Sequence, residues 1–220
     1  MDERYLPLLI ISLAIFVIAL LFFGLFPLFQ RLYVKKNFIE AYGKTIYNIA
    51  LKEDYYLINT LLLERADGTR ISIDHFLAGN KYLYIIKDKF FDGAITGEFI
   101  DPTWLLYQKK GKAIKKRKFD NPLLMNKARI EKMLQITNLD PSLIISIVLI
   151  NDDAIIDKPL IHKDYDGVSF LVKRRDLKKV IRKIENRDIS ALNEKELKHI
   201  VHDIAKLNAN KDGRIKDNKK

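Results

Sequence analysis

From Tyr5 to Phe29 the chain carries no charged side chain. As a helix these residues span roughly 37 Å, enough to cross a hydrocarbon core of about 30 Å with some tilt. A buried helix of a water-soluble core is rarely apolar on every face for so long. A cleaved signal peptide would have a basic leader, a shorter apolar stretch and a small-residue cleavage site. Here Asp2, Glu3 and Arg4 lead, and the run closes on Phe26-Pro-Leu-Phe29. The expectation is an uncleaved transmembrane helix over residues 5–29.

Flanking charge sets its direction. Arg31, Lys35 and Lys36 follow the span, whereas Arg4 is the one base before it. The positive-inside rule then places a single-pass protein in the cell membrane with its C-terminal part in the cytoplasm. The net charge is +11, and residues 1–30 hold one base and two acids, so the remainder carries +12. Nucleic acid and anionic lipid headgroups are both available to that charge. Cysteine is absent, which excludes disulfides and thiolate metal sites.

The expected divisions are an anchor and juxtamembrane segment (1–33), a core (34–150), a C-terminal strand and two helices (151–208) and a basic disordered tail (209–220). Phe38, Tyr42, Ile46 and Ile49 mark an amphipathic helix. A strand-like run at 55–63 is followed by two more within 71–97, with turns at Ala66-Asp-Gly68, at Gly79-Asn80 between the two strands, and at Asp92-Gly93 after the second. A short strand is expected after Asp92-Gly93. Residues 101–120 read as irregular, and seven of the ten positions 109–118 are basic. Asn121-Pro122 opens a helix, and the β-branched run 143–150 reads as a buried strand. A further strand precedes two helices, the second opened by Asn193 and Glu196. The fold class is α/β: a transmembrane helix followed by a domain with a helix, three antiparallel strands, a helix and a strand reached by a crossover.

Charge inside the apolar strands marks the candidate site. Lys87 and Lys89 share a face of their strand, Asp88 points away, and Asp74 on the neighbouring strand can join the two lysines. Clustered carboxylates with a lysine suit phosphodiester hydrolysis. The acids hold Mg²⁺ or Mn²⁺, and the lysine stabilises developing charge. The position two residues before Lys89, where an acid is wanted, is Lys87.

Ile73-Asp-His75, Tyr84-Ile-Ile-Lys-Asp-Lys89, Gly93-Ala-Ile-Thr-Gly97, Trp104 and Asn121-Pro-Leu-Leu-Met-Asn126 together resemble the NERD (nuclease-related) domain over about residues 38–138. The resemblance implies a restriction-endonuclease-like, PD-(D/E)xK fold. It also implies that Asp74 is the metal-binding aspartate and Lys89 the catalytic lysine. Two positions depart from the pattern: Lys87 replaces the acid before the lysine, and Lys44, after Gly43, replaces the glutamate of the upstream helix. One negative charge then faces three positive ones, which disfavours Mg²⁺ and attracts phosphate. Glu40, one helical turn before Lys44, is the candidate replacement metal ligand.

Three functions stay open on these residues. The first is sequence-tolerant binding of DNA or RNA through a degenerate nuclease cleft and the run Lys109, Lys110, Lys112, Lys115, Lys116, Arg117 and Lys118, with no cofactor. Tyr107 beside that run is the aromatic to test for base stacking. The second is an active Mg²⁺- or Mn²⁺-dependent nuclease using Asp74, Lys89 and a relocated acid. The third is a membrane scaffold with a vestigial cleft, whose basic run meets anionic lipid headgroups or a protein partner. Against each stands a bland reading, in which Asp74 is satisfied locally, the lysines and basic run are solvated, and Trp104 is core. His75 has no second histidine at ligand spacing.

Overall fold

The computed structural model describes residues 6–65, 67–111, 113–156 and 166–209. The chain divides into two compact units, Met1–Ala41 and Tyr42–Lys220. In the first, α1 (Leu6–Lys36) is one continuous helix with Lys35 and Lys36 in its last turn, where they complement the helix dipole. Its stretch Ile10–Pro27 has a mean hydropathy of 2.7 and buries none of its side chains. This helix is long and apolar enough to cross a membrane.

Helix α2 (Phe38–Glu53) runs across the division. It buries Tyr42, Ile46, Ile49 and Ala50, a stripe at helical spacing. Strands β1 (Tyr56–Glu64), β2 (Arg70–Ala78) and β3 (Leu83–Lys89) form the expected meander. After β4 (Ala94–Thr96), β5 (Thr103–Lys110), β6 (Ala113–Asp120) and α3 (Pro122–Leu134), the chain returns as β7 (Ile144–Ile150). Then come β8 (Ile155–Ile156), β9 (Ser169–Lys173), α4 (Leu177–Glu185) and α5 (Glu194–Lys206). The order helix, three strands, helix, strand is the one read from the sequence.

The main sheet has the order β1-β2-β3-β7-β9, antiparallel among the first three strands and parallel from β3 onward. All seven residues of β7 are buried, as a strand covered on both faces requires. On one face, Ile130 and Met133 of α3 and Leu197 and Val201 of α5 pack against Phe76 and Ile85. On the other lie α2 and α4, joined by Glu53, which bridges Lys178 and Arg182. A second sheet, β6-β5-β4-β8, packs Ile95, Trp104 and Leu106 against Val148, Ile150 and Leu171.

Two features depart from the sequence reading. Residues 103–120 are not irregular: β5 and β6 pair from Thr103↔Asp120 to Lys110↔Ala113, with Gly111 at φ 61° in the turn. Only the base of this hairpin has an apolar face (Trp104, Leu106, Phe119). The rest is a ladder clothed in cations, so period-two alternation is invisible in the residue types. Lys112, the Ala66 turn position and the tail from 210 lie outside the described residues. The second departure is Thr60, a β-branched residue at φ 55°. The β1–β2 register has pairs on either side of Thr60 and Asp74 but none at those two positions. Beyond it the buried parity shifts, so Ile58 and Leu61, like Phe76 and Ile73, serve the same core.

Several of the motif residues prove architectural. A Cβ on Gly97 would lie 2.2 Å from Cδ1 of fully buried Trp104, whose Nε1 donates to Glu98 O at 2.8 Å. Asn121, also fully buried, accepts the Leu123 N–H that caps α3 and donates to the carbonyls of Phe99 and Asp101. We expect Gly97→Ala to lower stability by about 1–3 kcal/mol through overpacking against a ring that has nowhere to move. Denaturant unfolding of the detergent-solubilised chain, followed by Trp104 fluorescence, measures this.

Candidate functional site

The site begins with alternation along β3. Leu83, Ile85, Lys87 and Lys89 point to one face of the sheet, while Tyr84, Ile86 and Asp88 point to the other. Ile85 and its neighbours are roofed by α3. Beyond them, towards the C-terminal end of β3, the apolar residues give way to the two lysines. The parallel register sets Lys87 beside Val148 and Lys89 beside Ile150.

Asp74 and Lys87 meet across the β2–β3 seam. Lys87 Nζ donates to Asp74 Oδ1 at 2.6 Å, and the Asp88 backbone N–H donates to Asp74 Oδ2 at 2.9 Å. Both carboxylate oxygens are therefore engaged. Each side chain of the pair retains 21% exposure, so solvent screens it. Lys89 is about half buried. Burial first, then the charges of Lys87 and Arg129, hold its ammonium below the ordinary lysine range, and Asp74 and Asp120 act in the opposite sense. Arg129 sits on α3, and its Nη1 donates to Asn126 Oδ1 at 3.4 Å. Asn126 in turn donates to Ile85 O and Ser146 Oγ, which fastens α3 to β3 and β7. Arg129 and Asp120 thus join Asp74, Lys87 and Lys89. Neither is marked by a local motif; only the packing of α3 and the end of β6 brings them in.

Asp88 lies on the opposite face, as its parity predicts. Its Oδ2 is 2.9 Å from His75 Nε2, and His75 Nδ1 is 2.6 Å from Asn59 Oδ1. His75 and Asp88 are almost fully buried. Asp88 Oδ1 is buried without a hydrogen-bond partner among the described residues. Burial accordingly pushes the Asp88 carboxyl above the usual carboxylate range, against the lowering effect of His75. Tyr42 on α2 donates its hydroxyl to Lys89 O at 3.3 Å. Its phenol is pushed far up by burial and by Asp88.

The metal-ligand expectation can now be placed. Lys44 and Glu40 are exposed on α2, and Glu40 hydrogen-bonds the Tyr33 hydroxyl. Among the described residues, no group of three or more His, Asp or Glu side chains is arranged to hold a cation. A Mg²⁺ or Mn²⁺ ion needs several oxygen ligands and excludes nearby ammonium groups. Asp74, with Lys87 on one oxygen and a backbone N–H on the other, does not fit one. What the arrangement offers instead is two ammonium groups and a guanidinium near two carboxylates, of which Asp74 is already paired, a set with cations to spare for phosphate oxygens.

The hairpin continues this surface. Lys116, Lys118 and Asp120 share a face of β6, and Asp120 is the acid that acts on Lys89. Lys116 Nζ lies 5.8 Å from the Tyr107 ring centroid, a cation–π contact across the ladder. Lys115 and Arg117 occupy the alternate face.

The domain is a mixed α/β fold of two sheets and helices, with Asp74, Lys87 and Lys89 meeting at the β2–β3 seam. The family model for the nuclease-related domain, NERD, matches residues 40–151, just over half of the chain. The chain belongs to that family. Comparison with curated proteins and with solved structures returns no match.

A test of the buried pair follows from linkage. A carboxyl whose folded-state pKa is raised binds more protons in the folded than in the unfolded chain, so its contribution to stability declines as pH rises out of the carboxylate range. Asp88→Asn removes that proton dependence and keeps an oxygen for His75. Unfolding free energies of the variant and the parent, measured at about pH 4 and about pH 7, will diverge in favour of the variant at the higher pH. His75→Ala, which strands the carboxylate, will cost about 3–5 kcal/mol near neutrality.

Proposed function

We propose that this NERD domain is a membrane-anchored, cytoplasmic nucleic-acid-binding module whose nuclease site is degenerate. α1 is the anchor, and the excess of bases after it supports a cytoplasmic domain. The observation that carries the reading is the Asp74–Lys87 contact. An ammonium group occupies the approach to the one carboxylate on which a nuclease metal would be built. The same substitution makes the cleft attractive to a phosphodiester, because Lys87, Lys89 and Arg129 outnumber Asp74 and Asp120.

The hairpin supports a path longer than one phosphate. Lys116 and Lys118 lead along β6 to Asp120 and Lys89, and Tyr107 supplies a ring beside Lys116. Backbone charge and stacking carry little sequence information, so recognition of DNA or RNA is sequence-tolerant. The nuclease alternative has less support: the Asp74 oxygens are engaged, and among the described residues no group of three or more His, Asp or Glu side chains is arranged to hold a cation.

Full-length chain in detergent, titrated with labelled single- and double-stranded DNA and RNA in EDTA, tests the proposal. Binding should persist without divalent metal and weaken by roughly 10³-fold or more between about 50 and 200 mM salt, given about six phosphate contacts. Lys116→Ala combined with Lys118→Ala should flatten the log–log salt slope by about two. Affinity that is flat with salt, or cleavage that depends on Asp74 and Mg²⁺, would refute the reading.

Lys87→Glu probes the degeneracy directly. It removes the ammonium from Asp74 and sets a second carboxylate on the same face. Calorimetry should detect Mn²⁺ binding to the variant and none to the parent.

A further inference from the structure

The cleft and hairpin use only part of the basic surface. The segment Lys173–Arg187 contains eight bases against two acids, and α4 segregates them completely. Leu177, Val180, Ile181 and Ile184 are buried, so Lys178, Lys179, Arg182 and Lys183 form the outward face. Sequence periodicity marks this helix by its apolar side alone. In the fold, its cationic side lies next to the exposed face of α2.

Where the two helices meet is a groove of about 230 Å³, lined by Thr45, Asn48 and Lys52 of α2 together with Arg174, Arg175 and Lys178. Glu53 neutralises part of Lys178 and Arg182, and Asp152 holds Arg174. Lys52, Lys179 and Lys183 have no acidic partner among the described residues. Leu51, next to Lys52, is a 52% exposed apolar side chain. The face therefore combines unneutralised cations, hydroxyl and amide hydrogen-bonding groups, and one protruding hydrocarbon.

We propose that this α2–α4 face docks on the anionic headgroup surface of the bilayer in which α1 is anchored, with lipid phosphate entering the groove. The inference rests on the reading of α1 as a membrane span. Three observations select lipid over nucleic acid here. Among the described residues the lining of the groove contains no aromatic ring, and Phe170, in the hollow beside Lys179 and Lys183, is 5% exposed, so neither offers an open platform for a base. Thr45, Asn48 and Lys52 follow the end of α1 at Lys36 by at most sixteen positions. As helix, that is roughly 24 Å of chain, so the bilayer surface is always at high effective concentration. Finally, basic residues just beyond a span and a leucine among them are what an anionic leaflet attracts.

The chain has no cysteine, so a single introduced thiol reports position. Full-length protein with Asn186→Cys, at the exposed end of α4, is labelled with a donor fluorophore. It is reconstituted into vesicles of phosphatidylcholine alone or with phosphatidylserine, each carrying an acceptor lipid. Lys116→Cys on the hairpin is the comparison site.

Docking requires that transfer from Asn186→Cys rise at least about twofold on the anionic vesicles. It should return to the neutral value in high salt, or when Lys179→Glu and Lys183→Glu are added, while the hairpin label stays unchanged. Equal transfer on both vesicles overturns the proposal. So does a rise confined to the hairpin label, or a response of the Asn186→Cys label to added DNA or RNA on neutral vesicles. Flotation with neutral vesicles after a carbonate wash tests α1 separately. A chain that inserts without charge-dependent transfer retains its anchor and loses the docking face. A chain that fails to insert, yet binds anionic vesicles through Lys179 and Lys183, retains the face and loses the anchor.

Discussion

Alternation along β3 governs the chemistry of this domain. The strand is hydrogen-bonded on both edges, antiparallel to β2 and parallel to β7, so its side chains have only two directions available. Apolar residues fill both directions at its start. At its end, one direction takes Lys87 and Lys89 to the side of Asp74 and Arg129, and the other takes Asp88 to His75 under α2. The two halves of a three-residue sequence, Lys87-Asp-Lys89, therefore live in separate environments. One is a partly solvated pair with Asp74; the other is a buried pair that burial holds close to neutrality.

That separation keeps the acid at position 88 away from the face that Lys87 and Lys89 share with Asp74. The charge count is similar, but Asp88 cannot reach the face of Lys87 and Lys89 without a register shift, and a shift by one residue would exchange every buried side chain of β3 between the two packed faces. The Asp74–Lys87 contact is then the stable outcome for a carboxylate directly beside a cation. It satisfies Asp74 through one backbone N–H and the Lys87 ammonium, and leaves Lys89 and Arg129 partly exposed. Structural satisfaction and anion binding are compatible here because the carboxylate is neutralised and the remaining cations are not.

Cationic residues carry two distinct surfaces. On the β5–β6 hairpin they alternate with an aromatic and line up towards the cleft. On α4 they form one unbroken helical face next to α2. The first surface arises because a two-stranded ladder tolerates charge on both sides when only its base is packed. The second arises because a helix with a complete apolar stripe has no other place to put its lysines and arginines.

Much of this architecture was legible in the residues. The charge-free run, the apolar stripes of α2 and α5, the turn residues of the meander, the Asn121-Pro122 helix start and the buried run of β7 are local signals, and each corresponds to an observed element. The hairpin was hidden because charge replaced the alternation that identifies a strand, and the Thr60 irregularity because nothing in a threonine announces a positive φ. At the site, Asp74, Lys87 and Lys89 share a face by parity, which depends on neighbours in the chain. Sequence by itself thus determined the family, the apolar helix and the presence of lysines at positions 44 and 87. Tertiary structure alone decided that Lys87 closes on Asp74, that Asp88 is matched by His75 and Asn59, that Arg129 and Asp120 flank Lys89, and that α2 and α4 pool their charges. Those are contacts between residues far apart in the chain, and their geometry exists only once the sheet and its helices have packed.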